Sequence, residues 1–174
     1  MEYDFYKMYL EEMEKIPALS GEEEEKILER TAAGEAEARK RLVEGSLGRA
    51  LAFAREYEER GLPMGDLVQE ANEALMLAAV EYDGSRAWRE LMEYRIREGI
   101  ELALAEQSKE REIEENIAAR VNVLQTVSKA MAEELGREAT VEELAGKMKM
   151  TEEEIRNLMK MALDALNAEY GGTV

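Results

Sequence analysis

Cysteine and histidine are both absent from the 174 residues. Their absence removes disulfides, thiolate and imidazole metal sites, Ser/His/Asp triads and cysteine nucleophiles together. Proline is scarce, with only Pro17 and Pro63 interrupting the chain. No glycine-rich phosphate loop of the G-x-x-x-x-G-K-S/T kind occurs, and no apolar run approaches the roughly 20 residues that span a bilayer. The first residues, Met1-Glu2-Tyr3-Asp4, carry neither the basic patch nor the apolar core of a signal peptide. The expectation is a cytoplasmic protein that is not an enzyme, with no metal, no cofactor, no membrane contact and no small-molecule substrate.

What the chain does contain is charge: 36% of its residues are charged and the formal net charge is -17. Such values suit long solvated helices, while 45% hydrophobic residues supply enough apolar surface for one sizeable core or two small ones. A strongly acidic chain repels phosphate backbones and anionic lipids at long range unless positive charge is locally concentrated.

Apolar residues recur at helical spacing almost throughout and no stretch alternates with period two, so the predicted fold class is all-α. The first helix is expected from Tyr3 to about Glu14, ended by Pro17. Ser20 with Glu23 reads as a capping box opening a second helix that stops by Gly34. A longer helix follows from about Glu35 to Arg60, closed by Gly61. Pro63 to Asp66 opens the next, with Leu67, Val68, Ala71, Leu75, Ala78, Ala79 and Tyr82 as its buried face. Another helix runs from about Arg86 to Gln107. The densely charged stretch from Ser108 to Glu115 reads as a solvated connection or exposed helix start, and as the domain boundary. Two domains are therefore expected, 1–110 and 111–174.

In the second, a helix with Ile117, Val121, Leu124, Val127, Met131 and Leu135 stops at Gly136. Two short capped helices then start at Thr140 and Thr151, each with a glutamate three residues on. That is helix-turn-helix spacing, which helical domains without DNA contact share.

The run Asp66-Leu67-Val68-Gln69-Glu70-Ala71-Asn72-Glu73-Ala74-Leu75-Met76 resembles a conserved helix of the primary-type sigma factors of bacterial RNA polymerase. The likeness continues through Met8-Tyr9-Leu10 to Pro17, Glu37 to Leu42 and Arg55 to Leu62, and Ala132 to Ala145 is similar to the third region of that family. It spans nearly the whole chain, as regions 1.2 to 3. The resemblance implies a helical region-2-like domain followed by a small three-helix region-3-like domain with helix-turn-helix character. It implies no fourth region, the one that grips the upstream promoter element, since the chain stops at Val174. It also implies core RNA polymerase as partner, docked through the clamp coiled coil of the largest subunit by Asp66, Gln69, Glu70, Asn72 and Met76. Taken singly, these side chains also read as ordinary solvated helix residues.

Elsewhere the sequence departs from the family. Where the family's promoter-melting helix carries clustered aromatics, this chain reads Arg86-Ala87-Trp88-Arg89-Glu90-Leu91-Met92-Glu93-Tyr94-Arg95. Glu98 stands in place of a base-touching glutamine, and Asn116 and Ala119 align with a histidine and a glutamate that contact the extended promoter element. Residues 84–120 hold nine acids and seven bases, a net of -2 where the family is basic. Arg86, Trp88, Arg89, Tyr94, Arg95 and Arg97 remain as a reduced single-strand platform, so promoter DNA is a weakened partner. The competing reading makes Trp88 and Tyr94 packing residues and pairs the arginines with Glu90, Glu93, Glu98 and Glu101. The function expected is a sigma factor or sigma-like initiation protein; the alternative is a polymerase-binding regulator, a sigma mimic or competitor, that does not melt promoters.

Overall fold

The computed structural model describes residues 5–170, with backbone only at 169 and 170. Every regular element among them is a helix, and the fold is all-α. In chain order these are α1 (Phe5–Met13), α2 (Gly21–Ala32), α3 (Ala36–Arg55), α4 (Met64–Glu81), α5 (Trp88–Leu135), α6 (Val141–Met148) and α7 (Glu152–Tyr170). The expected start of α1 at Tyr3 lies outside the described residues. None of the described helices is long and apolar enough to cross a membrane.

Helix ends follow local chemistry. The Ser20 hydroxyl accepts from the Glu23 N–H at 3.2 Å, and the Glu23 carboxylate also reaches Arg41 of α3 at 2.9 Å. α3 stops five residues before the expected Arg60. There the backbone tightens into bonds that span three residues, from Glu56, Tyr57 and Glu58 back to Phe53, Ala54 and Arg55. Glu59 then turns left-handed at φ 63°. Tyr57 nevertheless stays buried, so the apolar stripe outlasts the regular helix.

The largest departure is α5. Instead of a break after Gln107, the helix continues for 48 residues. Neither proline nor glycine occurs between Gly99 and Gly136, and Lys, Glu, Arg and Gln are strong helix formers, so dense charge does not end the helix. Gly136, at φ 66°, ends it.

The chain divides into two compact units, Met1–Ser108 and Lys109–Val174, with the division inside α5. In the first, α3 lies between α2 and α4, and α1 rests on α4. Its core is built from Leu42, Leu51, Leu67, Leu75, Trp88, Met92, Ile96 and Ile100, with alanines where helices approach closely. A partly buried ion pair locks α2 onto α3, the Glu24 carboxylate accepting from both terminal nitrogens of Arg49 at 3.1 and 3.0 Å.

The second unit has a small aliphatic core of Leu124, Leu144, Ala145, Ile155 and Leu158, contributed by the end of α5, α6 and α7. The turn between α6 and α7 passes through Lys149 at φ 55°. Thr140 and Glu143 form a complete capping box, and Arg137 binds the same carboxylate at 2.8 Å. The Arg137 bond first, then the Thr140 N–H, pulls the Glu143 carboxyl down to about 2. Since the folded value lies below the ordinary one, this contribution is complete above pH 4.5 and is lost as the pH falls towards 2. Thr140→Ala is expected to cost about 1 kcal/mol, read as an earlier urea midpoint for the second unit, while the acid sensitivity of that midpoint should largely persist, because Arg137 and the backbone N–H of residue 140 still hold the Glu143 carboxyl down.

Candidate functional site

α4 presents two faces because its apolar residues fall at helical spacing. Leu67, Val68, Ala71, Ala74, Leu75, Ala78 and Ala79 are buried against the first core. The opposite face carries the residues the sequence singles out. Asp66 and Gln69 are exposed, Met76 is 52% exposed, and Glu70 and Asn72 are half-buried. Asp66 sits in the first turn, where the helix dipole favours a carboxylate.

The five side chains do not all stand free. The Gln69 amide donates to Glu73 at 3.2 Å, one turn on. Asn72 is engaged by α1: its amide nitrogen donates to the Tyr9 hydroxyl at 3.1 Å, or the hydroxyl donates to its carbonyl oxygen at 3.3 Å. Burial holds the Tyr9 phenol above its ordinary value. Phe5, Tyr6 and Tyr9 of α1 join Val68, Gln69 and Met76 of α4 around a shallow cleft, so α1 belongs to this face. Sequence reasoning missed that contribution. The available signal was the spacing of three aromatics on a helix too short to bury them.

Glu70 is electrostatically the most stressed of the set. Burial first, then the negative charges of Glu73, Glu106 and Asp66, hold its carboxyl above the ordinary carboxylate value. A cation brought to this face would relieve that stress, since an opposite charge at close range favours the ionised form.

The six residues of the expected single-strand platform are scattered by the structure. Trp88 is 3% exposed and packs edge-on against Tyr82 with ring centres 5.6 Å apart, so it is a core residue and offers no stacking surface. This corrects the reading of Trp88 as a DNA-stacking residue: at the first position of α5, its ring is worth more buried than solvated. Tyr94 is exposed, with the Arg86 and Arg95 guanidinium groups each 5.3 Å from its ring centre. Arg95 is committed to Glu81 at 2.7 Å and Glu98 at 2.7 Å. Arg97 points the other way, bridging Glu56 at 2.8 Å and Glu93 at 2.9 Å over the Phe53 ring. Arg89 is largely exposed, 3.8 Å from Glu24. Only Arg86, Tyr94 and Arg95 gather, and the Arg95 charge is already answered.

Two comparisons bear on these features. The family model for Sigma-70 region 3 matches residues 119–169, within the second unit. Over 168 residues the chain is 33% identical to the RNA polymerase sigma factor SigA of a Bacillus species, covering 95% of this chain and 45% of that protein. SigA of Clostridium acetobutylicum is 34% identical over 168 residues, covering 95% and 44%. Over 95% of its length the chain is thus similar to primary-type sigma factors. RpoS of Coxiella burnetii, another sigma factor, is 33% identical over 165 residues, with 94% of this chain and 47% of that protein covered. The chain spans less than half the length of these sigma factor relatives. Its likeness to them extends over both units, including the α4 helix on which the sequence resemblance first rested.

Proposed function

We propose that this chain acts in transcription initiation as a sigma-like protein, binding core RNA polymerase through the exposed face of α4. The observation that carries the reading is the coincidence on one solvent-facing stripe of Asp66, Gln69 and Met76, flanked by Glu70 and Asn72, in a family whose relatives are named as polymerase sigma factors. An acidic and amide-rich stripe with a methionine suits a basic helical partner such as the clamp coiled coil of the largest subunit, because complementary charge speeds encounter and fixes register.

On this reading the first unit serves as a region-1.2/2-like module and the second as a region-3-like module, with a boundary near residue 110. Promoter contact would fall to Arg86, Arg89 and Tyr94, with Arg95 and Arg97 available only if they leave their carboxylates. Stacking contributes about 1–3 kcal/mol per base, so a face reduced to one tyrosine melts duplex poorly. Burial of Trp88 and the pairing of Arg95 and Arg97 favour, as second reading, a regulator that occupies polymerase without opening DNA.

The test mixes purified protein with core RNA polymerase and measures complex formation, then transcription from a promoter template. Binding with transcription supports initiation. Binding without it selects the regulator, and no binding overturns both.

A further inference from the structure

A second surface of the first unit meets the docking stripe only at Glu70. α4 and α5 approach closely where Ala74 faces Gly99: a Cβ at Gly99 would stand 3.2 Å from that of Ala74. Small residues at the crossing leave a groove of about 470 Å³ between the two helices. Its walls are Leu77 and Val80 of α4 and Leu102 of α5. These three are 65%, 62% and 60% exposed. Scattered single apolar residues on a surface are ordinary, but three large ones around one groove mark an interaction site.

The rim is acidic. Glu70, Glu73, Glu81 and Glu98 border the groove, and its one cation, Arg95, is held by Glu81 and Glu98. That rim repels nucleic acid, whose phosphates also find no donor on walls of leucine and valine. The groove instead has the dimensions and chemistry of a seat for a third helix, laid between two others with its apolar stripe inward. Around such a stripe, lysine and arginine side chains would meet the glutamates.

We propose that the α4/α5 groove docks an amphipathic helix of a protein partner that carries leucine-like side chains along one stripe and basic residues at its flanks. Glu70 borders both surfaces, but Asp66, Gln69, Asn72 and Met76 lie outside this groove and its apolar walls lie outside the docking stripe, so the two readings are tested at different residues.

The probe is a fluorescently labelled synthetic helix with leucines at i, i+3, i+4 and i+7 and lysines elsewhere, titrated into the full chain. Binding is followed by anisotropy and by methyl NMR signals of Leu77, Val80 and Leu102. The expected result is perturbation of those three signals and at least tenfold weaker binding by the Leu77→Gln/Leu102→Gln double variant. Both positions are exposed, so the variant should keep its fold, checked by circular dichroism. A version of the peptide with glutamates in place of lysines should bind at least tenfold more weakly, and the double variant should bind core polymerase within twofold of the parent.

Unperturbed methyl signals, or equal binding to the double variant, would overturn the proposal. So would displacement of the peptide by single-stranded DNA, which assigns the groove to nucleic acid. A concentration-dependent dimer that disappears in the double variant would overturn it in favour of a second copy of this chain. Loss of polymerase binding in the folded double variant would merge the groove into the polymerase face and equally overturn it. Failure of polymerase binding by the parent leaves the peptide result intact, so the two readings fail separately.

Discussion

Trp88→Ala should destabilise the first unit by about 3–5 kcal/mol, the range for emptying a buried aromatic site. The indole is 3% exposed, stands edge-on to Tyr82, and shares its core with Leu91 and Met92. Removing it deletes that apolar contact area and leaves a cavity at the start of α5, with Leu91 and Met92 left to anchor the first turn. Urea denaturation followed by circular dichroism should show the loss as a lower midpoint of the transition belonging to the first unit. Trp88→Phe should recover most of it, because the ring area is largely kept and the discarded indole N–H has no acceptor among the described residues. A Trp88→Ala protein as stable as the parent within about 0.5 kcal/mol, the range of ordinary surface changes, would return Trp88 to the role of an exposed stacking platform.

Glu70→Lys should weaken binding to core polymerase at least a hundredfold, about 2.7 kcal/mol. The reversal removes an acceptor from the docking stripe and sets a like charge against a basic partner, which costs more than loss of the contact alone. It should do so in a folded protein, since the lysine meets Glu73, Glu106 and Asp66, the same groups that raise the native carboxyl. Glu70→Gln separates the two effects. With the folded carboxyl above its ordinary value, the ionised form is disfavoured by folding, so the penalty is complete above the raised pKa and is relieved as the pH falls through it. The glutamine variant should therefore melt higher than the parent at pH 7, match it in acid, and still bind polymerase less well. Unchanged affinity in both variants would remove Glu70 from the interface. Stability surrendered at a binding face is a common arrangement.

The residues show why some of this was legible in the sequence and some was not. α4 could be read because its apolar positions repeat at i, i+3 and i+4, which leaves Asp66, Gln69 and Met76 on the complementary arc. The engagement of Asn72 by Tyr9 could not, because it depends on how a helix 63 residues away in sequence comes to lie. The groove walls were hidden for the opposite reason. From Ala74 to Val80 the chain reads Ala-Leu-Met-Leu-Ala-Ala-Val, apolar on every side, so periodicity alone does not distinguish Leu75 in the core from Leu77 in water. α5 was divided in the sequence reading because dense charge resembles a loop, although its residues individually favour a helix. Trp88 had two defensible fates, and the decision came from Tyr82 across the turn.

The two cores differ in a way that makes each visible by itself. The single tryptophan of the chain lies in the first, whereas the second is built from aliphatic side chains and methionines. Indole emission excited at the red edge is consequently a private reporter on one unit, silent about the other. Subtracting its profile from the far-ultraviolet helical signal isolates the melting of the aliphatic unit without cutting the chain or attaching a dye.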